Sequence, residues 1–347
     1  MRRLGTALAL ALSTLALAAA PVLACGGLIG PNGAVNLLRT TTFAGYHAGV
    51  EHYVTSFEFA GGGGSFGSIT PLPGIPTHVE KGGEWTLQRL ILETARRDFL
   101  FSEDGGAVRA AAPAAEELMK VRIDALDLTV LRGGPAEIGQ WAREHDFRLP
   151  PDAPEVLEFY ASRSPIFLAA AFDADAAAGR GQQVGDGTPV HITIPTDDPW
   201  VPLRILGLGK AGAERVGAEV YLLTDVKPNL LPTPVGVNGL VLNHSAAASA
   251  SLLDDLRSDR GMEWVPRSGW LTQVTIDASA AQLEFDLAVS ATGGQPSRLD
   301  AGFDMAAGSV DPDGLRLALA LVVVLLGVAG VLRLVAGPPL VAPARPI

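Results

Sequence analysis

The distribution of apolar and polar residues divides the chain into two apolar ends and a mixed middle. Residues 1–24 begin with Arg2 and Arg3, continue as an Ala- and Leu-rich run over 7–20, and end in small residues. That order predicts a secretory signal peptide, because the apolar run is too short for a membrane-spanning helix. The bulk of the chain is therefore expected to be exported.

Cleavage after Ala24 would make Cys25 the first residue of the mature protein. Val22-Leu23-Ala24-Cys25 partly matches the lipobox of lipoproteins, with Leu23 bulky where a small residue is usual. Lipidation of Cys25, which would add an anchor at this end, and plain cleavage remain two alternatives.

The second apolar run, residues 315–335, predicts a transmembrane helix. Its central part, 317–332, has 16 residues without a charge, which as a helix span ~24 Å of a ~30 Å hydrocarbon core. Arg316 and Arg333 can extend toward the headgroups and lengthen the span. A buried core helix is the alternative.

The charges that flank this run predict its orientation. The tail 336–347 carries Arg345 and no acid, whereas Asp311 and Asp313 precede the run. This asymmetry favours a cytoplasmic C-terminus, with the N-terminal part outside a single-pass cell membrane protein. The Gly-, Ser-, Asp- and Pro-rich residues 291–314 predict a stalk.

Within 25–290 the hydrophobic periodicity predicts an α+β fold: an antiparallel β-rich ectodomain with several short helices, in addition to the one C-terminal transmembrane helix. Residues 35–46 and 50–59 predict a hairpin with a turn at His47-Ala48-Gly49. The other predicted strands are 66–72, 121–131, 166–172, 189–195, 203–207 and 219–224, with a closing hairpin of 271–276 and 282–290. The predicted helices are 85–101, 135–145, 154–162 and 246–257. Two subdomains with a boundary near 176–188 are an open alternative to one domain.

Charge and cysteine content exclude several classes of function. All 37 acidic residues but only 21 of the 26 basic residues lie between Cys25 and Gly314, so this part has a net charge of −16. Such a charge argues against nucleic acid and against anionic lipid as partners. The single cysteine rules out an internal disulfide, so the domain depends on its apolar core. No motif predicts a cofactor.

Several short segments together resemble the bacterial domain of unknown function 2330 family, which is exported and membrane-anchored. The resemblance spans most of 25–291. It rests on Ala24-Cys25-Gly26-Gly27, an aromatic strand before the Gly-rich 61–64, Pro71-Leu72-Pro73-Gly74-Ile75-Pro76, the stretch 141–172, Pro202-Leu203-Arg204 and the strand 219–225. Ile29 and Gly30 stand where many members carry a second cysteine, so a family disulfide there is absent. The resemblance implies no reaction and no functional residues.

The hairpin offers the nearest approach to a metal site. His47 and His52 flank its turn, with Glu51 between them, but zinc requires three or four converging ligands and the sequence shows no third. Surface histidines are the favoured interpretation, and no metal site is predicted. His191 and the other histidines occur singly and receive no role.

Other candidate motifs lack the neighbouring residues that their function requires. Gly63-Gly64-Ser65-Phe66-Gly67 matches a nucleophile elbow, but the prolines that follow cannot begin the helix that this motif requires. Asp173 would open a calcium loop that lacks its glycine and glutamate. The adjacent pairs Glu116-Glu117 and Asp254-Asp255 are interpreted as solvated charges. No catalytic residue is predicted.

Trp200 is the candidate partner-binding residue. It lies between Pro199 and Pro202, where a rigid turn could present an exposed aromatic ring to a partner, although a packed loop is the favoured interpretation. The favoured hypothesis is a non-enzymatic binding, sensing or assembly component of the cell envelope, with an envelope protein as possible partner. The alternative is an envelope hydrolase whose site cannot be recognised from the sequence.

Overall fold

Three β-sheets and four α-helices make up the described part of the chain. The computed structural model describes the residues 27–30, 33–34, 40–57, 66–94, 116–173, 176–177 and 188–303. Cys25, the predicted signal peptide, Ser65 and the apolar run 315–335 lie outside these residues. Among the residues described, no helix is long and apolar enough to cross a membrane.

The largest sheet has seven strands, and it holds the residues discussed below. In spatial order they are β14 (Leu240–Ala247), β15 (Trp270–Ser279), β12 (Arg215–Thr224), β3 (Thr40–His47), β4 (Val50–Phe57), β10 (Thr188–Pro195) and β6 (His78–Lys81). Neighbouring strands are antiparallel except β12 and β3, which are parallel. The sheet is thus mostly antiparallel, as predicted.

Two smaller sheets complete the β structure. The six-stranded sheet has the order β2 (Gly33–Ala34), β1 (Gly27–Gly30), β5 (Gly67–Pro71), β9 (Ile166–Phe172), β8 (Leu126–Arg132) and β7 (Glu116–Ile123). The three-stranded sheet has the order β11 (Trp200–Val201), β16 (Leu287–Ser290) and β13 (Asn229–Leu231). All seven residues of β9 are buried, as its continuous apolar run predicts.

Helices α1 (Thr86–Thr94) and α4 (Ala250–Ser258) cover one face of the seven-stranded sheet. Helices α2 (Pro135–Glu144) and α3 (Ala153–Ala161) contact each other. The core under α1 and α4 contains Phe43, Val54, Leu90, Tyr221, Leu223, Leu252, Leu253, Leu256, Met262, Val265 and Leu271. Ser249 caps α4, because its hydroxyl accepts a hydrogen bond from the Leu252 N–H at 3.1 Å.

The predicted first hairpin is confirmed as β3 and β4, paired from Thr40↔Phe57 to His47↔Val50. Its two-residue turn places Ala48 at φ 52° and Gly49 at φ 80°. Positive φ at both positions is the conformation of the turns that match strand twist. The helices at 135–145 and 154–162 are also confirmed, as α2 and α3.

The predicted strand 121–131 is wrong in its extent. It is two strands, β7 and β8, which form a hairpin with Asp124 at φ 52° in the turn. The alternation of apolar residues continues across this turn and therefore hides it. The predicted helix 246–257 begins at Ala250, because the residues up to Ala247 pair with β15 as part of β14.

Two other predicted strands differ for a reason in their hydrogen bonds. Residues 203–207 form a 3₁₀-helix, Arg204–Gly207, because the N–H groups of Leu203 and Arg204 bind the carboxylate of Asp286 instead of a neighbouring strand. The predicted hairpin of 271–276 with 282–290 does not form, since β16 pairs with β11 and β13 instead of β15.

The described residues up to Phe303 belong to one compact unit. Residues 291–303, the first part of the predicted stalk, pack on it: Ala301 is fully buried, and Arg163 donates to the carbonyl of Asp300. Strands β9 and β10, on either side of the predicted boundary at 176–188, lie in different sheets of this unit.

Candidate functional site

Strand β4 directs Glu51 and His52 to opposite faces of the seven-stranded sheet, because successive side chains on a strand alternate. His52 lies on the face covered by α1 and α4, together with Val54 of the same strand. Glu51 lies on the other face. The two residues that the sequence placed together at the hairpin therefore do not form one site.

His52 meets His191 of the neighbouring strand β10. The register pairs His52 with Thr193 and Val54 with His191, so the two histidines are diagonal neighbours on one face. Their nitrogens, His52 Nδ1 and His191 Nε2, are 3.1 Å apart. His191 Nδ1 lies 3.5 Å from a carboxylate oxygen of Glu80 on β6, which is longer than a good hydrogen bond.

Trp264 covers His52. Its indole ring stacks on the His52 imidazole with 3.9 Å between the ring centroids and 3° between the ring planes. Gly45, directly opposite His52 on β3, leaves the space that this ring occupies, because a Cβ at position 45 would collide with it. The local sequence thus requires glycine at 45 and aromatic rings at 52 and 264.

Burial keeps both imidazoles neutral. It lowers the pKa of His52 to about 3, with smaller contributions from the nearby His191 and His47. It also lowers the pKa of His191, although Glu80 and Glu263 act in the opposite direction. At neutral pH one imidazole therefore donates an N–H and the other accepts it.

The histidine pair is not arranged as a metal site or as an open catalytic site. No group of three or more potential ligands among the residues described could hold a metal ion. The second hairpin histidine, His47, instead binds Asp225, with 2.7 Å between its Nδ1 and the carboxylate. His52 is 9% and His191 2% exposed, so neither imidazole is open to a substrate in this arrangement.

Glu51 is buried without compensation on the opposite face. It is 1% exposed, and neither carboxylate oxygen has a hydrogen-bond partner among the described residues. Burial raises its pKa to about 8. The carboxyl group is therefore mostly protonated at pH 7, as expected for an acid held in an apolar environment.

Trp200 does not present its ring to a partner. Its side chain is 2% exposed, stacks on Tyr160 with 5.8 Å between centroids, and lies against the Arg163 guanidinium at 4.9 Å. The packed loop is therefore the interpretation that the structure supports, and the partner-binding role predicted for Trp200 is corrected.

We expect Trp200→Phe to lower the free energy of unfolding by about 1–3 kcal/mol, because the smaller ring leaves a cavity and a weaker contact with Arg163. Urea denaturation of the purified protein would measure this loss. Capture of an envelope protein partner, measured well below the unfolding transition, should stay unchanged. A selective loss of this capture would instead support an exposed Trp200.

The remaining acidic candidates are engaged in ordinary ion pairs. Arg122 binds both Asp127 and Asp173, and Asp173 also accepts the Ala176 N–H. Asp254 pairs with Arg257, and Asp255 pairs with Arg89. The contacts of Asp254 and Asp255 are consistent with solvated charges on the surface, as predicted for this pair, whereas Asp173 is buried.

A cleft of about 180 Å³ lies between α3 and the segments 204–212 and 280–284. The charged residues that line it bind protein groups. Arg204 pairs with Glu155, Lys210 pairs with Glu214, and the Asp152 carboxylate accepts the Gly209 N–H. The cleft is therefore a less developed candidate than the histidine pair.

Among the described residues, β14 is a terminal strand of the large sheet, and its sequence is unusual for such a position. This terminal strand has eight residues, Leu-Val-Leu-Asn-His-Ser-Ala-Ala, without acid, Lys, Arg or Pro. Val241 is 39% and Leu242 47% exposed, and the loop before the strand exposes Val235 and Val237. We call Val235, Val237, Val241 and Leu242 the edge patch.

Comparisons with known proteins do not assign the chain to a family. No family model matches the sequence, and no curated protein matches it. Three crystal structures of baculovirus P35, one of them a complex with caspase-8 and one a mutated form after caspase cleavage, are 7–9% identical with TM-scores of 0.37. Each alignment covers 73% of this chain and 96–99% of the other. Similarity at this score supports no conclusion.

The sequence missed His191 and β14 as features of interest. His191 lies in Val-His-Ile-Thr-Ile, where the alternation predicts a strand, but its partner His52 is 139 residues away. Their contact depends on the pairing of β4 with β10, which one sequence does not reveal. The lack of charge in 240–247 is visible in the sequence, but only the sheet order shows that the strand is terminal.

Proposed function

We propose that this chain is an exported, single-pass membrane protein of the bacterial cell envelope, and that its folded part is a non-enzymatic binding or assembly module. The signal peptide 1–24, the apolar run 315–335 and the resemblance to the domain of unknown function 2330 family support the location. The observation that supports binding is the uncharged terminal strand β14.

Proteins protect exposed sheet edges from association with charges, proline, bulges or short length. One terminal strand of the six-stranded sheet, β7, has the same length as β14 but carries Glu116, Glu117, Lys120 and Arg122. The other terminal strand of the large sheet, β6, has only four residues, and two of them are Glu80 and Lys81. Within one molecule, β14 therefore lacks the charges that comparable edges have.

The partner class follows from this geometry. A terminal strand offers a row of backbone N–H and C=O groups, and an extended polypeptide segment can pair with them as an added strand. The exposed side chains of Val241 and Leu242 would favour a partner segment with apolar residues. Strand β14 does carry one protecting feature, the bulge between Leu242 and His244, which interrupts the ladder with β15. This bulge would limit the length of an added strand.

The hydrolase alternative would use His52 and His191, two titratable side chains within hydrogen-bond reach of each other. Their burial under Trp264 argues against it, because catalysis requires access to the reacting atoms. An enzyme of this kind would need Trp264 to leave its position in each cycle.

The test is photocrosslinking of the full chain in native membranes. A photoreactive amino acid in place of Leu242 should give a discrete adduct, whereas one in place of Leu92, which is 72% exposed on α1, should not. Val241→Lys in the same strand should lower the adduct yield by about tenfold, since a loss of ~1.4 kcal/mol has that effect.

One further outcome would identify the occupant of the edge, and two others would overturn the proposal. An adduct with the mass of two chains would show that the added strand comes from a second copy. Equal crosslinking from positions 242 and 92, or an adduct unaffected by Val241→Lys, would overturn the proposal that β14 binds a partner. Leu92→Lys is the matched control for the added charge.

A further inference from the structure

The histidine pair lies under a segment that is held by one stacked ring, two apolar side chains and the hydrogen bonds of Asp259. Residues 259–265 follow α4; in them Met262 and Val265 are buried in the core, Trp264 covers His52, and the carbonyl of Val265 accepts a hydrogen bond from Arg257 at 2.9 Å. We call this the 259–265 segment. It approaches both histidines: Trp264 stacks on His52, and a Cβ at Gly261 would lie 3.0 Å from His191 Nδ1.

We propose that this stack is a pH-sensitive latch, in which the neutral His52–His191 pair holds the 259–265 segment on the sheet and protonation of the pair releases it.

The closed arrangement cannot accommodate protonation of both rings. An imidazolium is a donor at both nitrogens, so two protonated rings would direct two N–H donors at each other across 3.1 Å. A single buried imidazolium would also lose its hydration. Release of Trp264 would expose His52 to water and remove both penalties.

The groups that face the pair come from each neighbouring element. His47 on β3 and His78 on β6 are further potential cations, whereas Glu80 on β6 and Glu263 on the segment itself are anions. The glutamates favour protonation of His191 and the histidines oppose protonation of the pair. Asp225 neutralises His47 when that ring is charged, and Arg260 adds a positive charge to the segment.

The direction of the pH effect follows from linkage. In the released state both rings should approach their ordinary pKa of about 6.5, whereas burial holds the pKa of His52 at about 3 and lowers that of His191. The closed state therefore binds fewer protons than the released state, and it loses stability as the pH falls from about 6.5 toward 3. For one proton, the closed-to-released ratio changes by about tenfold per pH unit.

Release would be transmitted to α1. The Asp259 carboxylate caps this helix from another part of the chain, accepting from the Thr86 N–H at 2.8 Å, the Thr86 hydroxyl at 2.6 Å and the Trp85 N–H at 3.3 Å. Gly83 is required beside it, because a Cβ there would collide with the carboxylate. Loss of a cap weakens the first turn of a helix, so acid should loosen α1 and the segment together.

Hydrogen exchange followed by mass spectrometry on the full-length protein tests the latch. Between pH 7.5 and 4.5, peptides covering 259–265 and 85–90 should lose protection, after correction for the intrinsic rate, by at least tenfold more than peptides of β9 and β12. Far-UV circular dichroism should stay constant over the same range. Equal loss of protection in all four regions would overturn the proposal.

Two variants separate titration from packing. His52→Phe keeps an aromatic ring under Trp264 but cannot be protonated, so its segment should stay protected at pH 4.5. Gly45→Ala should displace Trp264 and remove protection of the segment at pH 7.5 without altering any titratable group. An acid response of His52→Phe equal to that of the unmodified protein, or full protection of the segment in Gly45→Ala, would contradict the latch.

A second histidine–tryptophan stack supplies the matched control. His145 stacks on Trp141 at 4.3 Å in α2 and the turn that follows, and its Nδ1 lies 2.9 Å from the Trp141 carbonyl. His145→Phe should leave the acid response of 259–265 unchanged. If His145→Phe abolished that response, general acid destabilisation would replace the latch as the explanation.

Discussion

Arg163→Met is expected to lower the free energy of unfolding by about 3–5 kcal/mol, because it leaves the buried carboxylate of Asp286 without its counter-ion. The two side chains are 1% and 0% exposed, and their charged atoms are 2.5 Å apart. The guanidinium also lies over the rings of Phe159 at 4.2 Å and Trp200 at 4.9 Å. Denaturation by urea at neutral pH would measure the loss.

The fold depends on this ion pair because Asp286 joins separate segments of the chain. Its second oxygen accepts hydrogen bonds from the Tyr160 hydroxyl at 2.8 Å, the Leu203 N–H at 2.7 Å and the Arg204 N–H at 3.0 Å. The Tyr160 hydroxyl in turn accepts the Ile205 N–H at 2.9 Å. Helix α3, the 3₁₀-helix and the residue just before β16 therefore share one polar network.

A second substitution makes the prediction specific. Asp286→Asn added to Arg163→Met should recover part of the lost stability, because no uncompensated charge then remains and the amide oxygen can still accept from the backbone. A double variant less stable than Arg163→Met would contradict the role assigned to charge. The control is Arg215→Met, whose exposed pair with Asp277 should contribute about 1 kcal/mol or less.

The Asp286 network also explains why the prediction of a strand at 203–207 is wrong. The apolar pattern of 203–207 is compatible with a strand, and only the two N–H groups bound by Asp286 show why the backbone is a 3₁₀-helix. Asp286 lies 83 residues from Leu203. Local periodicity reports which side chains are buried, and at Trp200, Leu203 and Ile205 burial is indeed what the structure shows. It does not report which backbone groups find partners.

The elements that were predicted correctly have their determinants close together in the sequence. The turn at Ala48-Gly49 requires positive φ, which glycine permits, and the alternation of β4 continues directly from it. The apolar run of β9 is sufficient to predict a buried strand. The β12–β3 parallel pair and the β4–β10 contact connect distant segments, so the large sheet could not be assembled from local signals.

The candidate sites show the same contrast between local signals in the sequence and contacts between distant segments. His52 was recognised as a residue with possible chemistry, but no metal site was predicted there, and the alternation of the strand directs Glu51 to the opposite face. Its actual partners, His191 and Trp264, come from β10 and the segment after α4. For Trp200, two prolines indicated a rigid turn, whereas its ring is buried against Tyr160 and Arg163.

Glu51→Gln is expected to remove a large pH dependence of stability. The folded protein holds this carboxyl in its protonated form, since burial raises the pKa from an ordinary 4.5 to about 8. The unfolded chain releases the proton above about pH 4.5. The folded state therefore binds more protons between these values, and stability falls as the pH rises from about 4.5 to about 8.

The amide that Glu51→Gln introduces has nearly the same shape as the protonated acid but does not titrate. The difference in free energy of unfolding between this variant and the unmodified protein should shift in favour of the variant as the pH rises. The shift between about pH 4.5 and pH 8 should be about 3–5 kcal/mol, since each pKa unit corresponds to ~1.4 kcal/mol. Urea denaturation at pH 5, 6, 7 and 8 measures the difference. Glu158→Gln, on an exposed face of α3, is the control for removal of a charge.

A constant difference in stability between Glu51→Gln and the unmodified protein across this pH range would mean that Glu51 is ionised in the folded state. An ionised carboxylate at a position that is 1% exposed would require a cation or a water channel to compensate its lost hydration. That compensation would have to lie on the face of β4 opposite His52, because the alternation of the strand directs the Glu51 side chain there.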